Sequence, residues 1–317
     1  MIGQALNFLF SLLVFPGFLF VALLGLIYLG LDRKCCAHMQ HRIGPPIWQE
    51  IYDFGKLMTK EDITPANADP IIFNAAPLLA LGALLAVALI IPIASPNSLL
   101  SGAADVVVLI YLLNLPAIAM MLGGYSSGCA FGVVGAGRHV TQLMGYELVF
   151  IISILSVVMK TGLLGVSEIV KYQSLHGWTL FDLRLLPAFL AALFAVQGKL
   201  LRTPFDIPEA HQEIVAGPLT EYSGPKLALW RLAYDIETVL VFGLLASLFL
   251  GGPTEYLIGG LRIPAVADFI VKTLVLLFIS VVIRTIMARL RIDQTLRLYW
   301  GAGVLLALVS LVLVGVK

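Results

Sequence analysis

An all-α integral membrane protein is the fold class this chain predicts, and three observations carry it. Of its 317 residues, 60% are hydrophobic and only 12% are charged, well beyond the roughly half-apolar make-up of soluble domains. The apolar residues form about eight runs, each long enough to cross about 30 Å of hydrocarbon at about 1.5 Å per residue. Lys and Arg crowd into alternate connections between those runs, which is the charge asymmetry of a multi-pass protein.

The spacing predicts spans at approximately 5–31, 70–94, 103–123, 139–160, 185–201, 227–250, 263–284 and 296–316 of a single membrane domain, 1–317. No basic residue and no small-residue cleavage site accompany the first run, so it reads as a retained anchor instead of a removed signal. The connections after spans one, three, five and seven hold Arg33, Lys34, Arg42, Lys56, Lys60, Arg138, Lys199, Arg202, Lys226, Arg231, Arg284, Arg289, Arg291 and Arg297; the others hold Lys160, Lys171, Arg184 and Arg262. This bias puts the first set in the cytoplasm and both termini outside the cell membrane. A net charge of +1 leaves no extended basic surface for a nucleic acid. Cys35, Cys36 and Cys129 lack the spacing of a zinc or iron–sulfur site, so no metal is expected on this chain.

Between spans one and two runs HRIGPPIWQEIYDFGKLMTKEDITP. Pro45 and Pro46 suit a helix start, and Ile47, Ile51, Phe54, Leu57 and Met58 then fall at helical spacing, with Glu50, Asp53, Lys56 and Lys60 off that stripe. This predicts an amphipathic helix lying on the membrane surface. The third connection, GGYSSGCAFGVVGAGRHVTQ, is glycine-rich but follows no strand and carries no Lys-Ser or Lys-Thr, so it reads as close helix packing or a hinge and not as a phosphate loop.

Span four contains Glu147. Counted from His139, its carboxyl lies about 12 Å along the helix, where an ionisable group must face protein or water. Lys272 in span seven invites the same question and is a candidate intramembrane relay. The densest cluster is the cytoplasmic loop around 202–226 with its flanks. Asp206, Glu209, Glu213, Glu221, Asp235 and Glu237 are six of the chain's 19 acids. Pro208 suits the start of a short helix ended by Gly217, on which Glu209 and Glu213 share a face. In a partly buried setting such a pair titrates near neutrality. One reading of the loop is a salt-bridged cap, neutralised by Lys199, Arg202, Lys226 and Arg231. The other is a chain of carboxyls leading through Asp235 and Glu237 to Glu147.

The pieces Arg42-x-Gly44-Pro45, Asp53-x-x-Lys56-Leu57-x-x-Lys60-Glu61, Gly145-Tyr146-Glu147, Arg202-x-Pro204-Phe205-Asp206-x-Pro208-Glu209-Ala210 and Glu213-x-Val215-x-Gly217-x-x-x-Glu221-Tyr222-Ser223-Gly224 together carry a family resemblance, as do Arg284, Arg289-x-Arg291-x-Asp293-Gln294 and Trp300. The chain resembles the subunit 1/H family of respiratory complex I and its relatives in energy-converting, membrane-bound NiFe hydrogenases. The resemblance implies eight spans, an acidic loop facing a redox module, and no redox cofactor in this chain, with the NiFe centre and iron–sulfur clusters in partner subunits. Pro46 after Gly44-Pro45, Gly145 before Tyr146-Glu147, and the segment Gly217 to Gly224 are similar to the hydrogenase branch.

On that resemblance the expected function is membrane anchoring and proton coupling for H2 evolution from ferredoxin. The expected partners are hydrogenase large and small subunits, antiporter-like membrane subunits, the lipid bilayer, and ferredoxin through the peripheral arm. Glu147, Asp206, Glu209, Glu213, Glu221, Asp235 and Glu237 are the candidate proton-coupling residues. Arg42, Asp53, Lys56, Lys60, Arg202, Arg284, Arg289, Arg291 and Asp293 are the candidates for docking the peripheral arm. A quinone-reducing complex I, a sulfur-reducing or formate hydrogenlyase relative, a stand-alone ion transporter and a purely structural anchor stand as alternatives.

Overall fold

The structure, a computed structural model, describes residues 10–102, 105–258 and 261–316. Residues 5–9 of the first predicted span, and 103 and 104 at the start of the third, lie outside the described residues. The helices are α1 Phe18–Met39, α2 Gln49–Met58, α3 Pro70–Ile90, α4 Asp105–Ser126, α5 Ala130–Thr161, α6 Val166–His176, α7 Leu186–Lys199, α8 His211–Ile214, α9 Gly224–Phe249, α10 Ala265–Ile286, α11 Ile292–Leu298 and α12 Val304–Gly315. A three-residue antiparallel hairpin, Tyr256–Ile258 with Leu261–Ile263, interrupts an otherwise helical chain.

Seven helical segments are long and apolar enough to cross a membrane among the described residues, beginning with Phe10–Met39 and ending with Ile292–Gly315. The fifth predicted span is the exception: α7 has 14 residues, about 21 Å of helix, and so falls short of the hydrocarbon thickness. Prolines and short polar residues set several boundaries. Asp69 caps α3 by accepting from the backbone N–H of Ile71 at 3.0 Å, with Pro70 in the first turn, where its missing N–H is harmless. Pro225 opens α9 in the same way. Gly162, with φ +71°, ends α5 in the left-handed conformation that glycine adopts without strain.

α9 is the centre of the bundle. Every residue from Asp235 to Phe249 is buried, and the helix packs on α1, α2, α3 and α10. α5 forms a second layer against α4, α7 and α12. The glycine-rich segment read as packing or a hinge is mostly the first turns of α5, and packing is what it does. A Cβ on Gly135 would lie 2.6 Å from Pro218 Cδ and 2.7 Å from Gly217 Cα, so only glycine lets α5 meet the acidic loop at that distance. α5 starts at Ala130 and not at His139, so Glu147 sits about 25 Å along its helix, near its middle.

The connections after α1, α4, α7 and α10 lie together at one end of the bundle. Asp69 N–H donates to Ser126 O at 2.9 Å and Leu290 N–H to Pro204 O at 3.1 Å. Arg138 meets Glu213 at 2.5 Å, and Lys226 meets Asp62 at 3.0 Å. The grouping of loops expected from the Lys and Arg bias is therefore a geometric fact of the fold.

Candidate functional site

That end of the bundle holds an open cavity of about 560 Å³. Its walls carry Asp32 and Arg33 from α1, Glu50 from α2, Arg202, Asp206 and Glu209 from the acidic loop, Arg231, Tyr234 and Asp235 from α9, and Arg284 from α10. The volume falls within the range of ligand pockets, but a lining this rich in ionisable groups makes it a hydrated, polar space.

Two ion-pair clusters brace it. Asp32, fully buried, lies between Arg202, 3.4 Å away, and Arg284, which donates a short hydrogen bond to it. Arg202 also donates to Ser280 Oγ at 2.9 Å, and Ser280 donates to Gln197 Oε1 at 3.2 Å. On the opposite wall Arg33 pairs closely with Glu50 and reaches Asp53 at 3.7 Å. Burial holds the Glu50 carboxyl above the ordinary glutamate range, outweighing the opposite effect of Arg33. The folded chain therefore keeps a proton that the unfolded chain has released, and stability declines as pH rises through the window above the ordinary value. Glu50→Gln is expected to flatten that decline in the thermal inactivation midpoint of the detergent-solubilised protein; an unchanged slope would mean that Glu50 does not carry it.

Asp206 closes the cavity's rim by taking two hydrogen bonds from Arg289, at 2.7 and 2.5 Å. This two-point grip raises the Arg289 guanidinium pKa and ties the acidic loop to the turn between α10 and α11. Asp206→Arg is expected to loosen that tie, and the exchange Asp206→Arg with Arg289→Asp to restore it. Proteolytic nicking of the 202–216 segment reports the loosening; equal resistance in single and double variants would mean that the pair does not hold the loop.

From the cavity, polar groups continue inward. Tyr234 faces Glu209 at the inner wall. Beyond it Lys199 and Glu237 form a buried pair at 3.5 Å, and Lys199 donates to Leu113 O at 2.7 Å. Pro116 lies inside α4 and has no N–H to give to Leu112 O, the carbonyl next to that of Leu113. Asn114 on α4 donates a short hydrogen bond to Glu147 on α5, and Glu147 is within electrostatic reach of Lys199 and of Tyr146.

Of the acids named from sequence, Asp206, Glu209 and Asp235 line the cavity, Glu237 lies inside it, and Glu147 ends the series. Glu213 and Glu221 do not join them. The expected helix starting at Pro208 is only the four residues of α8, because the chain from Arg202 to Ala210 runs irregularly along the cavity wall. Glu209 and Glu213 thus share no face: Glu209 turns inward and Glu213 outward to Arg138. Glu221 is half-buried and outside the cavity lining.

Among the docking candidates, Arg42, Lys56, Lys60, Arg291 and Asp293 are exposed. Arg202 is not: it is 7% exposed and bound to Asp32, so it supports the cavity from within and cannot reach a partner. Lys272 pairs with Asp268 at 2.6 Å and with Gly252 O at 2.7 Å, beside the end of α9 away from the acids, so it does not join their series. The expected self-neutralisation of the loop holds for Lys199, which meets Glu237 of the same cluster, and fails for Arg202 and Lys226, whose acids lie on α1 and in the α2–α3 connection.

Sequence reasoning missed Asp32, Glu50, Lys199 as a buried group, Asn114 and Tyr234. Asp32 falls just past the end of the first predicted span, and Glu50 belongs by pattern to the polar side of its helix, although it is 3% exposed. The signal for Lys199 was its place inside the fifth predicted span, 185–201, where an ionisable group raises the question put to Glu147 and Lys272.

A helix bundle with seven membrane-length segments among the described residues, whose ionisable groups gather at one end and run inward from an open cavity, defines an integral membrane protein with a charged interior. The chain belongs to the NADH dehydrogenase family, whose model matches residues 11–315, and is a complex I-like membrane subunit, of the 1/H class, of an oxidoreductase complex. It is 36% identical to the H-type subunit of NADH-quinone oxidoreductase from Thermomicrobium roseum, over 90% of this chain and 88% of that one. It is 38% identical to NADH-quinone oxidoreductase subunit 8 of Thermus thermophilus, over 86% and 76%. A chain of the membrane-bound sulfane sulfur reductase, an archaeal respiratory membrane complex, superposes with a TM-score of 0.88 at 28% identity, covering 98% of this chain and 99% of that one.

Proposed function

We propose that this chain anchors the peripheral redox arm of a complex I-like membrane-bound hydrogenase and couples its reaction to proton movement. The observation that supports the coupling role is the series from the charged cavity through Tyr234 and the Lys199–Glu237 pair to Glu147. A change of charge or conformation at the docking surface would act on the rim, where Asp206 and Arg289 meet, and alter the proton affinity of the groups behind it. The exposed residues Arg42, Lys56, Lys60, Arg291 and Asp293, with half-buried Asp53, Arg284 and Arg289, form the docking face. The acidic loop faces the cytoplasm and both termini face outside, in keeping with the Lys and Arg bias.

The hydrogenase assignment rests on the Gly44-Pro45-Pro46, Gly145 and Gly217-to-Gly224 motifs. In it, the NiFe centre and iron–sulfur clusters belong to partner subunits and ferredoxin supplies the electrons. Gly145 packs on α11 and its extension: a Cβ there would lie 3.1 Å from Tyr299 and 3.2 Å from Leu296, so a larger residue requires the neighbours to shift. A second reading, a sulfur-compound reductase, is favoured by the full-length likeness to the sulfane sulfur reductase chain.

Mild purification through a tag on this chain separates the readings. Co-purifying nickel with H2 evolution from reduced ferredoxin is the expected result. Nickel-free preparations that reduce sulfur compounds or quinone would move the chemistry to another branch and keep the coupling role. A chain that purifies alone would overturn both.

A further inference from the structure

Between the cavity and the Lys199–Glu237 pair lies a second, small void of about 10 Å³, whose lining includes Pro116, His139, Lys199, Trp230, Tyr234 and Glu237. His139, on α5, is 4% exposed, and neither of its ring nitrogens has a hydrogen-bond partner among the described residues. The same holds for Gln142 Oε1, one helical turn from His139; Gln142 donates its amide N–H to Gly198 O at 2.7 Å. Trp230 Nε1 approaches Tyr222 without the geometry of a full hydrogen bond. Orphaned buried polar groups around a void are exceptional, since nearly all such groups are satisfied by protein or by ordered water. A void of this volume holds about one water, and His139, Trp230 and Glu237 supply the two to four partners that water needs.

We propose that the void holds a buried water and that His139, through it, is the relay between Tyr234 at the cavity wall and the Lys199–Glu237 pair. This rests on the coupling role given above and adds a member to it. Neutral imidazole suits the position because one nitrogen donates while the other accepts. A proton arriving on one ring nitrogen is matched by release of the proton on the other, so the ring returns to a neutral state in its second tautomer and a rotation or a back-shuttle resets it. Lys199, Glu237, Tyr234 and Trp230 are the polar groups that face this step from α7 and α9.

The test uses the assembled complex in sealed vesicles and reads protons moved per electron transferred. His139→Leu is expected to lower that ratio about tenfold or more, and His139→Gln, which keeps a donor and an acceptor but cannot pass a proton between them, to leave it low; a ratio restored by His139→Gln would overturn the relay and leave His139 a hydrogen-bonding role only. Glu237→Gln is the reference for the coupling role. A drop with Glu237→Gln and none with His139→Leu would overturn the relay and leave coupling in place; no drop with either would overturn both. Should His139→Leu fail to assemble, Trp230→Phe removes one partner of the water, and an unchanged ratio there, together with a void empty of density in a high-resolution map of the unsubstituted complex, would overturn the proposal.

Discussion

Asp32→Ala is expected to destabilise the chain by about 3–5 kcal/mol, the range found when one member of a buried ion pair is removed. Asp32 is fully buried and is the carboxylate on which both Arg202 and Arg284 converge. Without it Arg202, itself buried, still donates to Ser280. A guanidinium does not escape by losing its proton, so the charge must draw in water or pull its loop out of the wall. The yield of assembled complex and its thermal midpoint in detergent should fall together. Removing both charges, as Asp32→Leu with Arg202→Met, is expected to recover much of the loss. A single-variant loss below about 1 kcal/mol would mean that water already solvates Arg202 and that the cluster is not dry.

Glu237→Gln is expected to leave assembly intact while lowering proton transfer per electron about a hundredfold. The substitution keeps the size of the side chain and an oxygen for Lys199, so packing around the pair is preserved. What it removes is the group to which the proposed coupling role gives proton uptake and release between the cavity and Glu147. Glu213→Gln, by contrast, alters an exposed pair with Arg138, whose contribution is screened and small, and should change the ratio little. If Glu213→Gln stops coupling and Glu237→Gln does not, the working acids lie on the surface loop instead of in the interior.

The helical membrane fold, the surface helix and the gathering of four loops at one end were legible in the sequence, because they follow from apolar run length and the placement of Lys and Arg. The acids were legible as a set, but their partners were not. Lys199 reads in one dimension as one more basic residue flanking an acidic loop; only the packing of α7 on α5 and the bundle centre puts it against Glu237. Asp32 and Arg202 are separated by 170 residues, and nothing local joins them. The short helix expected after Pro208 failed because the loop follows the cavity wall, where side-chain pairing overrides local propensity. Glu50 was misplaced because amphipathic patterning distinguishes a polar face from an apolar one without showing that the polar face is itself covered.

The shortness of α7 bears on how voltage acts on this subunit. The helix is about 9 Å shorter than the hydrocarbon thickness, and the residues that follow it, Leu200, Leu201 and Arg202, wall the open cavity. An electric field across a membrane concentrates in the dry region and is nearly flat through water. In the proposed coupling role a proton at Asp235 would have crossed little of the potential drop, whereas one passing His139, Glu237 and Glu147 would move through the steep part, where each full crossing is worth about 2.3 kcal/mol per 100 mV. Filling of the cavity should follow the pH of the facing compartment, and the inner transfers should follow the voltage.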